Sequence, residues 1–116
     1  MITTDGLDSM SNIIGNSGTV PGYIGIGSGT TASTIADTSL ENEWSRNGVT
    51  STDISISKNV TWIGDFSSTA ISGLTFTEFG LMNQAAGGNL FNREVVGSIA
   101  FEGDRELQIQ ITYKYL

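Results

Sequence analysis

The 116-residue chain has no cysteine and no histidine. Their absence excludes disulfide frameworks, thiolate and imidazole zinc sites, cysteine nucleophiles, and every triad or general base that depends on imidazole. Charge is scarce too. Asp, Glu, Lys and Arg make up 15% of the residues, and five basic side chains stand against twelve acidic ones, a formal net charge of −7. That balance repels polyanions at long range, so neither nucleic acid nor an anionic membrane is an expected partner. No run approaches the roughly 18 apolar residues of a spanning helix. The opening Met1-Ile2-Thr3-Thr4-Asp5 lacks the basic and apolar regions of a signal peptide. A protein made and kept in the cytosol, leaving it only inside an assembled particle, is the expected localisation.

What the chain does have is small and hydroxylated: 15 Gly, 14 Ser and 14 Thr, alongside 38% hydrophobic residues. This is the composition of short strands and tight turns around one core, in a single domain over 1–116. A short helix is predicted over 3–15, where Leu7, Met10, Ile13 and Ile14 recur at helical spacing. Thr3 or Thr4 caps it, Asp5 and Asp8 suit its first turn, and Gly15 ends it. The body over 23–116 alternates with period two. Ile54, Ile56, Val60, Trp62 and Phe66 share one parity, and Leu107, Ile109, Ile111, Tyr113 and Tyr115 share another. Ala85 to Asn89 forms a hairpin turn, and a parity switch near Glu78 and Phe79 predicts a bulge. The expected fold is all-β: an antiparallel β-sandwich or partly open barrel of about six or seven strands with one short N-terminal helix.

Two segments invite a chemical reading. Gly25-Ile26-Gly27-Ser28-Gly29 follows a strand as phosphate-cradling loops do, but no Lys-Ser/Thr pair follows it, so it reads as a tight crossing of backbones. Asp37, Glu41 and Glu43 match no calcium-loop spacing and read as a solvated cluster, so neither metal nor cofactor is expected. Glu78 shares the inward parity of Leu74 and Phe76, and a carboxylate in a small core needs a cation. Arg46 and Arg93 are the candidates, and Glu43 stands three residues before Arg46. An Arg-paired glutamate is held ionised, which suits a structural clamp and not the proton donor of a glycosidase pair. Glu43, Arg46, Glu78 and Arg93 are therefore expected as structural ion pairs, in a protein that is not an enzyme.

The loop from Ser28 to Ser39 is long for a connection in a small domain, and a neighbouring molecule is expected to order it. Thr30, Thr31, Ser33, Thr34 and Ile35 in that loop, with Trp44 and Ile63, are the candidate interface. Ile63 is chosen because it sits on the polar side of an edge-like strand. Unguarded edges and just two lysines, Lys58 and Lys114, point to a homo-oligomer, a trimer or a pentamer. A carbohydrate-binding β-sandwich, stacking sugars on Trp44, Trp62, Tyr113 or Tyr115, is the alternative.

Five blocks occur in order: Thr3-x-x-Gly6-Leu7; Tyr23-Ile-Gly-Ile-Gly-Ser-Gly-Thr-Thr31; Asp37-Thr-x-Leu40-x-x-Glu43-x-x-Arg46; Thr75-x-x-Glu78-x-Gly80-Leu-Met-Asn83; and Gly88-x-Leu90-Phe-Asn-Arg93. Together they resemble the baseplate-attachment domain of tail-collar-type tail-fibre proteins, and related small structural proteins of tailed bacterial and archaeal viruses. The resemblance implies a non-enzymatic virion component that docks on other virion proteins of baseplate, tail or capsid, synthesised in the host cytoplasm. It departs from the fibre family in carrying no shaft and no receptor-binding tip. A fibre adaptor, or a capsid decoration or turret, is the role this implies.

Overall fold

In the computed structural model, which describes residues 1–115, the chain enters through helix α1 (Thr4–Ile14). Thr3 is its N-cap: Oγ1 accepts from the Gly6 N–H at 2.9 Å and donates to the Leu90 carbonyl at 2.5 Å. Asp5 lies in the first turn, and its carboxylate also receives the Leu90 N–H and the Asn89 side-chain amide. Gly15 caps the other end. The face that docks takes half of the predicted apolar stripe, Met10 and Ile13, and leaves out the other half. Gly6 and Ser9 are buried and Met10 and Ile13 half-buried, whereas Leu7 and Ile14 are 55% and 88% exposed. Small residues win because they let the helix backbone close on the chain at Phe91, whose backbone a Cβ on Gly6 would strike.

Seven strands follow: β1 (Tyr23–Gly27), β2 (Glu43–Gly48), β3 (Ser51–Asp53), β4 (Asn59–Phe66), β5 (Thr75–Met82), β6 (Leu90–Ala100) and β7 (Leu107–Lys114). They form a four-stranded sheet in the order β2-β1-β5-β6 and a three-stranded sheet in the order β3-β4-β7, all neighbours antiparallel. The two sheets are separate, so the fold is a sandwich and not a closed barrel. Ile24, Ile26, Leu81 and Phe91 from one sheet meet Trp62, Phe66, Ile109 and Ile111 from the other in the core. Trp62 meets Tyr113 edge to face at 4.9 Å between ring centres, and the buried Tyr113 hydroxyl donates to Asn92 Oδ1 at 2.6 Å. Burial raises the pKa of that phenol.

The predicted parity holds in β4 from Val60 onward and in β7 from Leu107 to Tyr113, but not at Tyr115, which lies past the end of the strand and is 53% exposed. It fails at Ile54 and Ile56, which lie in the connection between β3 and β4 and are exposed. Lys58 takes a positive φ of 64° there and breaks the register that the alternation assumes. Ile63 is half-buried, and its strand is the middle one of its sheet, with Ser51 and Gln110 on either side. Its expected edge position is corrected accordingly. A one-turn helix α2 (Ser68–Ile71), capped by Ser67, adds to the single helix predicted. It is too short to leave a periodic signal. The bulge in β5 falls between Phe76 and Glu78, beside the predicted position.

Candidate functional site

The outer face of the four-stranded sheet gathers the residues singled out in the sequence. Cross-strand partners share a face, and the register places Arg46, Gly25, Gly80 and Arg93 in one row across β2, β1, β5 and β6. The adjacent row is Glu43, Gly27, Glu78 and Val95, and the one beyond Gly25 and Gly80 is Gly48, Tyr23, Met82 and Leu90. Two glycines at the centre of the first row leave a hollow between the arginines. The segment connecting β1 to β2, residues 28–42, folds over this face and drops Leu40 into that hollow. A Cβ on Gly25 or Gly80 would press on the Leu40 methyls at 3.2 and 3.1 Å. Leu40, Met82 and Leu90, with Tyr23 alongside, form a second small apolar cluster there.

Glu78 lies beneath the same segment and is fully buried. Its Oε1 accepts from Arg93 Nε at 2.9 Å and from the Glu41 N–H at 2.8 Å. Its Oε2 accepts from the N–H groups of Gly29 and Asn42 at 2.7 and 2.8 Å. Burial pushes the Glu78 pKa up, but the Arg93 and backbone hydrogen bonds together outweigh it and hold the pKa below its ordinary value. Gly27 and Gly29 line the carboxylate because nothing larger fits. A Cβ on either would collide with the Glu78 carboxylate, and with Asn42 or Glu41 as well. Thr77 adds a hydroxyl bond to the Gly29 carbonyl at 2.7 Å.

Arg93 extends the network outward, with Nη1 at 3.2 Å from Asp37 and Nη2 at 4.0 Å from Glu41. Asp37 closes a turn on Thr34 through both the N–H and the hydroxyl, and hydrogen bonding from the Thr34 backbone leads the effects that hold its pKa low. Glu41 gathers the N–H groups of Thr30 and Thr31 and the Thr31 hydroxyl, which lower its pKa, the hydroxyl most. On the other flank Arg46 grips Glu43 with two parallel bonds, Nε to Oε2 at 2.9 Å and Nη2 to Oε1 at 2.7 Å. Its Nη1 donates to the carbonyls of Gln84 and Gly87, tying β2 to the turn before β6.

These contacts change the expectation for the loop. Its own chain orders it, because carboxylates within and beneath it satisfy its backbone donors. Thr30, Thr31, Thr34 and Ile35 remain exposed and Ser33 is half-buried, but the hydroxyls of Thr31 and Thr34 are engaged internally. Of the cluster read as solvated, Glu41 and Glu43 are exposed, while Asp37 is half-buried and accepts a hydrogen bond from Arg93. Among the described residues no group of three or more carboxylates is arranged to hold a metal. Trp44 is 48% exposed and donates its indole N–H to the Ala70 carbonyl at 2.9 Å. Trp62 and Tyr113 are core residues, which removes two of the four sugar-stacking platforms. No helix among the described residues is long and apolar enough to cross a membrane.

The sequence pointed to the two arginines and to Glu43 and Glu78, but not to Asp37, Glu41 or Thr77 as their partners. The backbone donors that fill Glu78 have no residue signature at all. The glycine spacing was the one available signal, since alternate glycines mark a face that something approaches closely. No protein-family model, curated protein or solved structure matches this chain.

Proposed function

We propose that this chain is a non-enzymatic structural subunit of a tailed-virus particle, a small β-domain used in several copies and docked on the virion. Its place is the tail or baseplate, as a fibre adaptor, or the capsid, as decoration or turret. One observation carries the reading: the five sequence blocks that resemble tail-fibre attachment domains are scattered along the chain, yet their residues build one continuous structure. Gly6 and Thr3 seat α1 on Leu90 and Phe91, Leu40 fills the hollow of Gly25 and Gly80, and Glu78 joins Arg93 to Gly29 and Asn42. A motif set that closes on itself in this way is scaffold. With four donors on its carboxylate, Glu78 is held as a structural anion, which supports a clamp over the proton donor of a glycosidase pair.

Quantitative mass spectrometry of purified source particles tests the proposal. The expected result is this chain at a fixed ratio to the major capsid protein. A ratio matching one tail ring supports the adaptor, and one matching capsid vertices or faces supports decoration or turret. Its absence from the particles overturns the proposal. Binding to a glycan array in that case would move the carbohydrate-binding module to first place.

A further inference from the structure

We infer that the face carrying helix α1 is a contact between two copies of this chain, related by a two-fold axis. Two clefts follow one another along α1, where the sandwich opens between β6 and β7. The larger, of about 660 Å³, has Met10, Ile13, Trp62 and Phe91 among its walls, and the smaller, of about 520 Å³, runs past Ile2, Leu7 and Lys114. They share Met10, Tyr113 and Tyr115, so they form one trench beside the helix, apolar at the Ile13 end and partly polar at the other, where Glu94, Gln110 and Lys114 join its wall. The side chains beside this trench are also among the most exposed apolar groups of the protein. Ile14 is 88% exposed, Val20 63% and Tyr115 53%, and Leu7, two turns before Ile14 on the same face of the helix, is 55% exposed. A small apolar ligand would fill the hollow and leave these protruding groups in water. A second copy answers both features at once, since a surface with its hollow and its protrusions side by side complements itself when turned through a half rotation.

Charge on the same face points to the same occupant. The ionisable side chains of α1 are Asp5 and Asp8, and Asp5 is taken up by Leu90 and Asn89, leaving the exposed Asp8. Across the trench stands Lys114 on β7, and the chain's other lysine, Lys58, adjoins it through a carbonyl that receives the Tyr115 N–H; the one carboxylate in the trench wall, Glu94, is paired with the N-terminal amine. Neither lysine forms an ion pair among the described residues. A half rotation lays the acidic helix of one copy against the lysines of the other. This favours self-association locally although each chain carries a net charge of −7.

The inference deepens the multi-copy role proposed above and rests on it for the expectation that copies meet, with a two-fold pair in place of the trimer or pentamer expected from the sequence. Sedimentation equilibrium of the intact protein over a wide concentration range tests it. The expected result is a dimer whose dissociation constant rises by about 100-fold or more in Ile14→Asp, because the change removes two buried apolar groups per dimer. With so little of Ile14 in contact within its own chain, the melting temperature of the dissociated variant should equal that of the parent at equal dilution. Asp8→Lys and Lys114→Glu should each weaken the dimer about tenfold, and the two combined should recover most of the loss. A parent that stays monomeric, or that carries an apolar molecule as a monomer in native mass spectrometry, overturns the inference. So does an oligomer indifferent to Ile14→Asp, which places the contact elsewhere. None of these results alters the particle count that decides the virion reading, so the two can fail separately.

Discussion

Glu78 shows how little of a buried carboxylate's environment is written in side chains. Three of its four hydrogen bonds come from backbone N–H groups of a segment about 40 residues earlier, and one from Arg93. Glu78→Gln keeps the size but loses the charge that Arg93 requires. It should lower stability by about 3 to 5 kcal/mol in urea unfolding, the range for breaking a buried pair. A variant as stable as the parent would rule out the clamp. The glycines make a sharper contrast. At Gly29 a new methyl would meet the carboxylate and Glu41, whereas at Gly97 nothing lies within 4 Å. Gly29→Ala should therefore cost about 1 to 3 kcal/mol as overpacking, and Gly97→Ala should be neutral or slightly stabilising. Equal melting temperatures for these two variants would contradict the close approach.

At the scale of elements, α1 is fastened by its cap together with Met10 and Ile13, and not by its whole apolar stripe. Thr3 is fully buried and serves two masters, receiving the Gly6 N–H and donating to the Leu90 carbonyl. Thr3→Ala removes both bonds and leaves the Leu90 carbonyl without that donor, so a loss of about 1 to 2 kcal/mol is expected. Thr3→Ser, which keeps the hydroxyl, should recover most of it, and chemical denaturation of the three proteins checks both statements. The cap and the stop of this helix were legible because capping is local chemistry. Its docking face was not, because the choice between the Leu7 and Ile14 side and the Gly6 and Ser9 side depends on what stands opposite. The β-strands divide along the same line. β7 alternates cleanly because one of its faces lies against the core for its whole length, while Ile54 and Ile56 kept the parity of β4 beyond the point where Lys58 turns the chain.

Over the whole molecule, acid should undo the outer face before the core. Glu78, Asp37 and Glu41 all have pKa values below their ordinary ones in the folded state. A carboxylate with a depressed folded pKa contributes stability that is fully present above its unfolded pKa and disappears as pH falls through the folded one. Stability should thus be level from about pH 7 to about pH 5 and decline below about pH 4. Melting temperatures across that range provide the check, and Glu78→Gln should flatten the decline. A parent whose melting temperature is unchanged down to pH 2.5, an acidity chosen to lie below the ordinary carboxylate range, would show that these pairs hold nothing together. Protection from hydrogen exchange, taken relative to the intrinsic rate at each pH, should be lost first over residues 28–42 as the pH falls, since this segment is held to the sheet largely through carboxylates.

The sequence by itself determined the class of fold, the capped N-terminal helix, the inward parity of β4 and β7, and the need of Glu78 for a cation. Each of these follows from interactions between residues close along the chain, or from a solvation cost that any fold must meet. Tertiary structure alone decided that Arg93 and not Arg46 answers Glu78, that Asp37 joins the same guanidinium, and that the long loop is closed by its own chain. It also set which face of α1 is left in water. Those outcomes depend on the order β2-β1-β5-β6, which brings segments tens of residues apart into one row. Pairing between distant strands is a matter of global packing, and no local pattern of residue types encodes it.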